Sequence, residues 1–252
     1  MVSLDNMNEK IFLRQGERLD DLMKSGRKII QIEKEFCFAT DSVLIAHFPE
    51  FKRNYKVLDL GTGTGVIPLL IADEIEKIFA IEINHDMAEL ARRNVELNNL
   101  SEKISVVEGD YRQIRDFFCA ESFNLVIANP PYYPVKNGEV NKLIGVATAR
   151  HEFNATLEDV VKSARFALKY HGSFCMVHSA ARLTEIVDAL HRHQFEMKRL
   201  QMIHPKKNRP ANLVMLDAIV GGNAGNLKIL PPLIVHNDDG SYTDDIKKIY
   251  NI

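Results

Sequence analysis

The pattern of hydrophobic and polar positions becomes regular from Lys56 onward. Short apolar runs there alternate with segments whose apolar residues recur every three to four positions, the period of an amphipathic helix. The apolar runs predict seven strands, over residues 57–60, 78–83, 104–107, 123–128, 173–178, 195–203 and 213–220. Strands that alternate with helices predict parallel βαβ units. A polar loop alone joins the last two strands, which indicates antiparallel pairing. We therefore predict an α/β fold: a doubly wound, mainly parallel seven-stranded sheet with an antiparallel edge strand.

The predicted elements divide the chain into three parts. Residues 1–55 precede the first βα unit and are predicted to form an amino-terminal appendage, with a strand over residues 28–32 and a helix from Thr40. Residues 56–220 carry the alternating pattern and form the main domain. Residues 221–252 are a carboxy-terminal extension that we expect to pack on the same domain, with a short helix after Thr243.

Composition and charge exclude several classes of protein. The 252 residues are 46% hydrophobic and 26% charged, as in globular proteins and unlike disordered or collagen-like chains. No apolar run reaches the ~18 residues of a membrane span, and the first residues do not resemble a signal peptide. Three cysteines without a CxxC pair are typical of reduced thiols. We expect a cytoplasmic protein without membrane, metal or obligate protein partner. With a net charge of −2, any nucleic-acid surface must be a local patch.

A glycine-rich turn follows the first strand of the main domain. Gly61, Gly63 and Gly65 lie at the carboxyl end of that strand, where doubly wound sheets bind ligands, and they let the backbone approach a ligand closely. The spacing is GxGxG and not the dinucleotide GxGxxG. Asp59 precedes the glycines and would repel a pyrophosphate, whereas it would attract an ammonium and a sulfonium. A structural βα turn is the simpler alternative.

Acidic residues end the next two strands as well. Glu82 lies near the end of the second strand, where a carboxylate can accept both hydroxyls of a ribose. Asp110 ends the third strand and could accept the exocyclic amine of an adenine. Each acid alone could be a solvated strand end or a helix cap. Together with the glycines, they predict a pocket for S-adenosylmethionine.

The fourth strand ends in the segment Asn-Pro-Pro-Tyr. The prolines fix the backbone, so the Asn129 side-chain carbonyl and the Pro130 carbonyl can accept hydrogen bonds from one planar amino group. Such bonds favour a tetrahedral nitrogen, whose lone pair can then attack a sulfonium methyl in line. No general base or metal is required. Tyr132 offers a face on which a flipped-out base can stack. We therefore assign Asn129, Pro130 and Tyr132 to catalysis, with Asn129 also contacting the cofactor.

Residues 36–220 resemble the class I S-adenosylmethionine-dependent methyltransferases. The motifs that carry this resemblance are VLDLGTGTG, AIEIN, VEGDY and NPPYY. The chain is most similar to the bacterial tRNA adenine N6-methyltransferases that modify valine tRNA beside the anticodon. Two flanking segments support this, FCFATDSVLIA at 36–46 and ARHE at 149–152. The resemblance implies methyl transfer to N6 of an adenine in tRNA(Val), with S-adenosylhomocysteine as product.

Basic and aromatic residues suggest where RNA would bind. The densest basic segment, residues 204–210, connects the last two strands, although it could be only a solvated hairpin loop. Further candidates follow the NPPY segment, and Arg27 with Lys28 adds charge near the amino terminus. The predicted substrate-binding residues are Tyr132, Tyr133, Arg150, His151, Lys206, Lys207 and Arg209.

Four alternatives stay open at the level of sequence. A release-factor glutamine N5-methyltransferase would use the same NPPY chemistry, but such proteins resemble a longer chain with a helical amino-terminal domain. An rRNA guanine N2-methyltransferase typically has Phe in place of Tyr132. A non-catalytic RNA-binding protein would not need intact glycines, Glu82 and Asn129. An NAD-dependent reductase is disfavoured by Asp59 and the GxGxG spacing.

Overall fold

A computed structural model describes residues 13–33, 40–132 and 155–251 of the chain. The strands are β1 (Glu17–Asp21), β2 (Lys28–Ile32), β3 (Lys56–Leu60), β4 (Lys77–Glu82), β5 (Ile104–Glu108), β6 (Phe123–Ala128), β7 (Leu168–Ser179), β8 (Phe195–Lys206), β9 (Leu213–Val220), β10 (Lys228–Ile229) and β11 (Leu233–His236). The α-helices are α1 (Thr40–His47), α2 (Val66–Ile71), α3 (His85–Leu97), α4 (Leu157–Ala167), α5 (Leu183–Arg192) and α6 (Asp244–Tyr250). A short 3₁₀ helix (Tyr111–Asp116) follows β5.

The predicted doubly wound sheet is confirmed. Its order is β10-β8-β9-β7-β6-β3-β4-β5, and β11 also pairs with β8. All pairs from β5 to β7 are parallel. The predicted antiparallel strand is β9, which lies between β7 and β8 and runs opposite to both. Because β9 reverses the direction once, β8 runs parallel to β3 again. The described residues place nine strands in this sheet, since β10 and β11 of the extension add to the seven predicted.

Helices cover both faces of the sheet, and the alternation of side chains along each strand explains why. Val57 packs with α1, α2 and α6 on one face, whereas its neighbour Leu58 packs with α4 and α5 on the other. Both side chains are fully buried. Strands buried on both faces appear in sequence as continuous apolar runs, which is why the central strands were predictable.

The first helix turns also follow from sequence. The sequence Thr-x-x-Asp forms a capping box at the start of α4: the Thr156 hydroxyl accepts from the Asp159 backbone N–H, and the Asp159 carboxylate accepts from the Thr156 N–H. At the start of α3, the Asn84 side chain accepts from the Met87 N–H at 3.0 Å. These caps satisfy backbone donors that have no partner inside the helix.

The strands β1 and β2 form an antiparallel hairpin that packs against α3. Arg93 of α3 pairs with Glu17 at 2.5 Å, and the Asn94 side chain accepts from the Ile30 N–H at 2.7 Å. Arg27 is buried, donates to the Leu69 carbonyl at 2.7 Å and pairs with Asp73. Arg27 is therefore a structural cation and does not add charge to an RNA surface. The division at residues 55 and 220 stays a prediction.

Within the described residues, no helix is long and apolar enough to cross a bilayer. No group of three or more His, Cys, Asp or Glu side chains in that part of the chain could hold a metal ion.

Candidate active site

Parallel strands bring the predicted motifs to one edge of the sheet. Leu60, the last residue of β3, pairs with Ile81 of β4 and with Ala128 of β6. The glycine turn, Glu82 and Asn129 directly follow these three positions, so they emerge side by side. The residues that the sequence assigned to cofactor and catalysis therefore share the carboxyl edge of the sheet, as expected for a doubly wound fold.

A cavity of about 380 Å³ opens at this edge. Its size falls within the range of small-molecule sites. Five of the predicted residues line it: Gly61, Glu82, Asn129, Pro130 and Tyr132. Six residues that were not assigned to the site also line it: Asp41, Ser42, Ile83, Tyr111, Pro131 and Ala155. The predicted residues Asp59, Gly63, Gly65 and Asp110 are not part of the lining.

The glycine turn has a backbone that favours glycine. Gly61, Gly63 and Gly65 have φ angles of 71°, 56° and 87°, values that L side chains rarely adopt. A Cβ added at Gly63 would meet no atom within 4 Å, so the space beside it is open, whereas a Cβ at Gly65 would approach Ala91 at 3.4 Å. Gly63 therefore faces free space, and Gly65 permits close packing of the turn on α3.

Glu82 organises the backbone around the cavity. Its carboxylate accepts from the Gly63 N–H at 2.7 Å and from the Asn84 N–H at 3.0 Å. Burial raises the pKa of Glu82, and these backbone hydrogen bonds oppose that rise. Glu82 thus links the glycine turn to the start of α3 and still presents its side chain to the cavity.

Asp59 is in a different state from Glu82. The side chain is completely buried, and neither carboxylate oxygen has a hydrogen-bond partner among the described residues. The hydroxyl of Thr62 also has no partner within hydrogen-bond geometry there, although it lies close enough to lower the pKa of Asp59 in part. Burial dominates and raises the pKa of Asp59 to about 7, and the charge of Glu82 adds to the rise. An ionised carboxyl that is buried without a donor is costly. Contact between Asp59 and the cofactor stays a prediction.

Asp110 takes the role of a helix cap, which the sequence left open as an alternative to contact with the cofactor. Its carboxylate accepts from the Arg112 backbone N–H at 2.8 Å and pairs with the Arg112 guanidinium at 2.6 Å. Burial acts to raise the pKa of Asp110, but the hydrogen bonds from Arg112 lower it below its usual value. The residue caps the 3₁₀ helix and leaves the neighbouring Tyr111 to line the cavity. Contact between Asp110 and an adenine amine stays a prediction.

The NPPY side chains are held by residues from α1. The Asn129 amide donates to the Ser42 hydroxyl at 3.0 Å, and the Tyr132 hydroxyl is hydrogen-bonded to Asp41. The Tyr132 hydroxyl also lies 3.0 Å from Asn129 Oδ1. On its other side, the Tyr132 ring lies 5.3 Å from the ring of His178. Sequence reasoning missed Asp41 and Ser42, although both lie in the segment 36–46 that carries the family resemblance.

The predicted basic loop lies at the same edge as the cavity, because β8 runs parallel to β3. Lys206 is a strand residue and not a loop residue: it pairs with His236 of β11, which extends β8 beyond the predicted end. Its ammonium donates to the Asp238 carbonyl at 3.0 Å. Lys207 and Arg209 are exposed in the turn that follows. The predicted substrate residues Tyr133, Arg150 and His151 lie outside the described residues.

Comparison with known proteins agrees with this arrangement. A tRNA1(Val) (adenine(37)-N6)-methyltransferase from Tolumonas auensis is 26% identical over 195 residues, which cover 75% of this chain and 80% of the relative. The corresponding enzyme from Pedobacter heparinus is 28% identical over 214 residues, covering 82% and 86%. The crystal structure of a predicted O-methyltransferase from Agrobacterium tumefaciens superposes with a TM-score of 0.67 at 26% identity, covering 84% of this chain and 95% of that one. Residues 35–200 match the methyltransferase small domain. The chain therefore belongs to the methyltransferase small domain family, which confirms the predicted enzyme class and its methyl donor, S-adenosylmethionine.

Proposed function

We propose that this enzyme methylates the exocyclic N6 of an adenine in tRNA, and that the adenine lies beside the anticodon of tRNA(Val). The observation that carries the proposal is the placement of Asn129, Pro130 and Tyr132 around the cavity that Gly61 and Glu82 also line. The names of the relatives from Tolumonas auensis and Pedobacter heparinus support the substrate. The exposed charges of Lys207 and Arg209 support contact with a phosphate backbone.

The described residues fit S-adenosylmethionine. The carboxylate of Glu82 lines the cavity and suits the ribose hydroxyls, and the open space beside Gly63 allows close approach of the backbone. Asp59 supplies a buried, unpartnered acceptor at the same strand end, which suits the positive charge of the methionyl part. When bound, this group supplies an electrophilic methyl on a sulfonium.

The residues of the chain then act on the amino group of the substrate. Conjugation with the ring makes an adenine amine a poor nucleophile. Oδ1 of Asn129 can accept a hydrogen bond from one N–H of this amine. We assign the Pro130 carbonyl as the acceptor for the other N–H. Hydrogen bonds aimed at a tetrahedral nitrogen stabilise charge as it develops, and fixed positions reduce the entropy cost of alignment. The Tyr132 ring is assigned to stacking on the base.

The test is the identity of the methylated product. The purified enzyme is incubated with methyl-labelled S-adenosylmethionine and, in separate reactions, unmodified bulk tRNA, rRNA and a release factor. Nucleosides and amino acids are then analysed after complete digestion. We expect label in N6-methyladenosine from tRNA. Label confined to N2-methylguanosine of rRNA, or to the glutamine amide of the release factor, would contradict the proposal and support one of the two rival substrates.

A further inference from the structure

The first turn of α1 contacts the NPPY segment directly at the wall of the cavity. Asp41 and Ser42 line this cavity together with Asn129 and Tyr132. One oxygen of the Asp41 carboxylate accepts from the Ser42 backbone N–H at 2.8 Å, and the other is hydrogen-bonded to the Tyr132 hydroxyl. The Asp41 side chain is thus held at both oxygens, which fixes where it presents negative charge.

The phenol of Tyr132 has two acceptors nearby but only one proton. It can donate to Asp41 or to Asn129 Oδ1, which lies 3.0 Å from the hydroxyl. A hydrogen bond to an ionised carboxylate is stronger than one to a neutral amide, so the proton lies toward Asp41. Burial and the charge of Asp41 raise the pKa of Tyr132, which keeps the phenol protonated at neutral pH.

Ser42 fixes the position of the Asn129 amide nitrogen. The Asn129 nitrogen donates to the Ser42 hydroxyl at 3.0 Å, which leaves the carbonyl oxygen oriented toward the hydroxyl of Tyr132. If Tyr132 then donated to that oxygen, it would compete with an incoming amino group for the same lone pairs. The bond between Tyr132 and Asp41 removes this competitor.

We propose that Asp41 and Ser42 are positioning residues that keep the carbonyl of Asn129 oriented and free to accept the substrate amine. This inference rests on the proposed function, because it assigns the amine as the group that Asn129 receives. Asp41 accepts the hydrogen bond of the Tyr132 hydroxyl, and the Ser42 hydroxyl accepts the hydrogen bond of the Asn129 amide N–H. Neither residue needs to touch the substrate.

The test removes the Tyr132 hydroxyl, which is the donor that would compete with the substrate amine for Oδ1 of Asn129. In Asp41→Ala the Tyr132 hydroxyl is left with Asn129 as its acceptor, so we expect the single-turnover rate of methyl transfer to fall by at least about tenfold, with the affinity for S-adenosylhomocysteine unchanged. The double variant Asp41→Ala/Tyr132→Phe lacks the competing hydroxyl and retains the ring. It should be several-fold faster than Asp41→Ala. Tyr132→Phe alone is measured as well, because it gives the cost of removing the hydroxyl while Asp41 is still present.

A double variant no faster than Asp41→Ala would overturn the proposal, since a purely structural role of Asp41 predicts further loss when a second contact is removed. Thermal unfolding of all three variants shows whether they fold. If Asp41→Ala does not fold, Asp41→Asn replaces it, because asparagine keeps the shape but gives a weaker acceptor, and the same order of rates is expected.

A second measurement separates this inference from the proposed substrate. With tyrosines labelled at Cζ, the NMR signal of Tyr132 is assigned as the one missing in Tyr132→Phe. It should shift in Asp41→Asn and stay in place in Asp245→Asn, a matched change in the first turn of α6. An unmoved signal in Asp41→Asn would overturn the inference whatever the enzyme methylates. A shifted signal in an enzyme that fails to methylate adenine would contradict the proposed function alone.

Discussion

At the scale of single residues, Asp59 and Glu82 show how two acids at neighbouring strand ends acquire different roles. Glu82 accepts two backbone hydrogen bonds and so shapes the glycine turn before any ligand arrives. Asp59 is buried without a donor among the described residues, and its pKa is raised to about 7. Glu82 therefore organises the backbone of the site, whereas ionisation of Asp59 is opposed by the loss of its contact with water.

The raised pKa of Asp59 predicts how stability depends on pH. Between the unfolded value of 3.8 and the folded value of about 7, the native state binds more protons than the unfolded state. The free energy of unfolding therefore falls as pH rises through this window and levels off above it. Thermal unfolding of the ligand-free enzyme from pH 5 to 8 should show this fall, and Asp59→Asn should reduce it. Glu82→Gln is measured beside Asp59→Asn, because the pKa of Glu82 is raised as well and this carboxyl contributes to the same fall in stability. An equal slope in Asp59→Asn and the parent enzyme would contradict the assignment.

Gly63 gives a prediction about cofactor binding. Gly63→Val should abolish binding of S-adenosylhomocysteine in a calorimetric titration, because a branched side chain would occupy the open space beside the turn and strain a backbone with φ of 56°. Gly225→Val is the matched control, since Gly225 also has positive φ and open surroundings but lies in the carboxy-terminal extension. The control should bind normally. Normal affinity in a folded Gly63→Val enzyme would mean that the cofactor lies elsewhere.

At the scale of elements, the site is assembled from strand ends and the first turn of one helix. The glycine turn, Glu82 and the NPPY segment were predictable because each chemical signal is local to one strand end. The contributions of Asp41 and Ser42 were not, because their contacts with Tyr132 and Asn129 join residues 91 and 87 positions apart. The residues next to a polar side chain in a helix do not indicate which distant residue it will contact. The pairing of Asp110 with Arg112 was missed for a different reason, since a helix cap and a ligand acceptor have the same sequence signature.

The turn between β8 and β9 gives a prediction about RNA binding. Lys207→Ala and Arg209→Ala should each reduce the slope of log affinity for tRNA against log salt concentration by about one unit. Turnover at saturating tRNA should be nearly unchanged. Lys206→Ala should have a smaller effect, since its ammonium already donates to a backbone carbonyl. Lys169→Ala is the control, because this exposed lysine is the second residue of β7 and lies at the amino-terminal edge of the sheet, opposite the cavity. Equal effects at Lys169 and Lys207 would indicate that the turn is not the RNA surface.

At the scale of the whole molecule, the pattern of apolar runs predicted the sheet and its helices but not the order of the last strands. The sequence shows that β8 and β9 pair, yet it does not show that β9 inserts beside β7, because both arrangements bury the same apolar side chains. The insertion matters for function, since it places β8 and its basic turn one strand position further from β6 and the NPPY segment. Similarly, the sequence pattern does not show that Ile246 of the carboxy-terminal extension packs in the same core as α1, which carries Asp41.

In the proposed reaction, Asn129 activates an adenine amine of tRNA(Val). The most direct measurement compares single-turnover formation of N6-methyladenosine in unmodified tRNA(Val) by the parent enzyme and by Asn129→Ala, with both saturated with S-adenosylmethionine. We predict methylation by the parent enzyme and a rate at least ~10²-fold lower in Asn129→Ala, with cofactor affinity nearly unchanged, as expected for a group that acts mainly in the transition state. Equal rates in the two enzymes, or no N6-methyladenosine from the parent, would contradict the account.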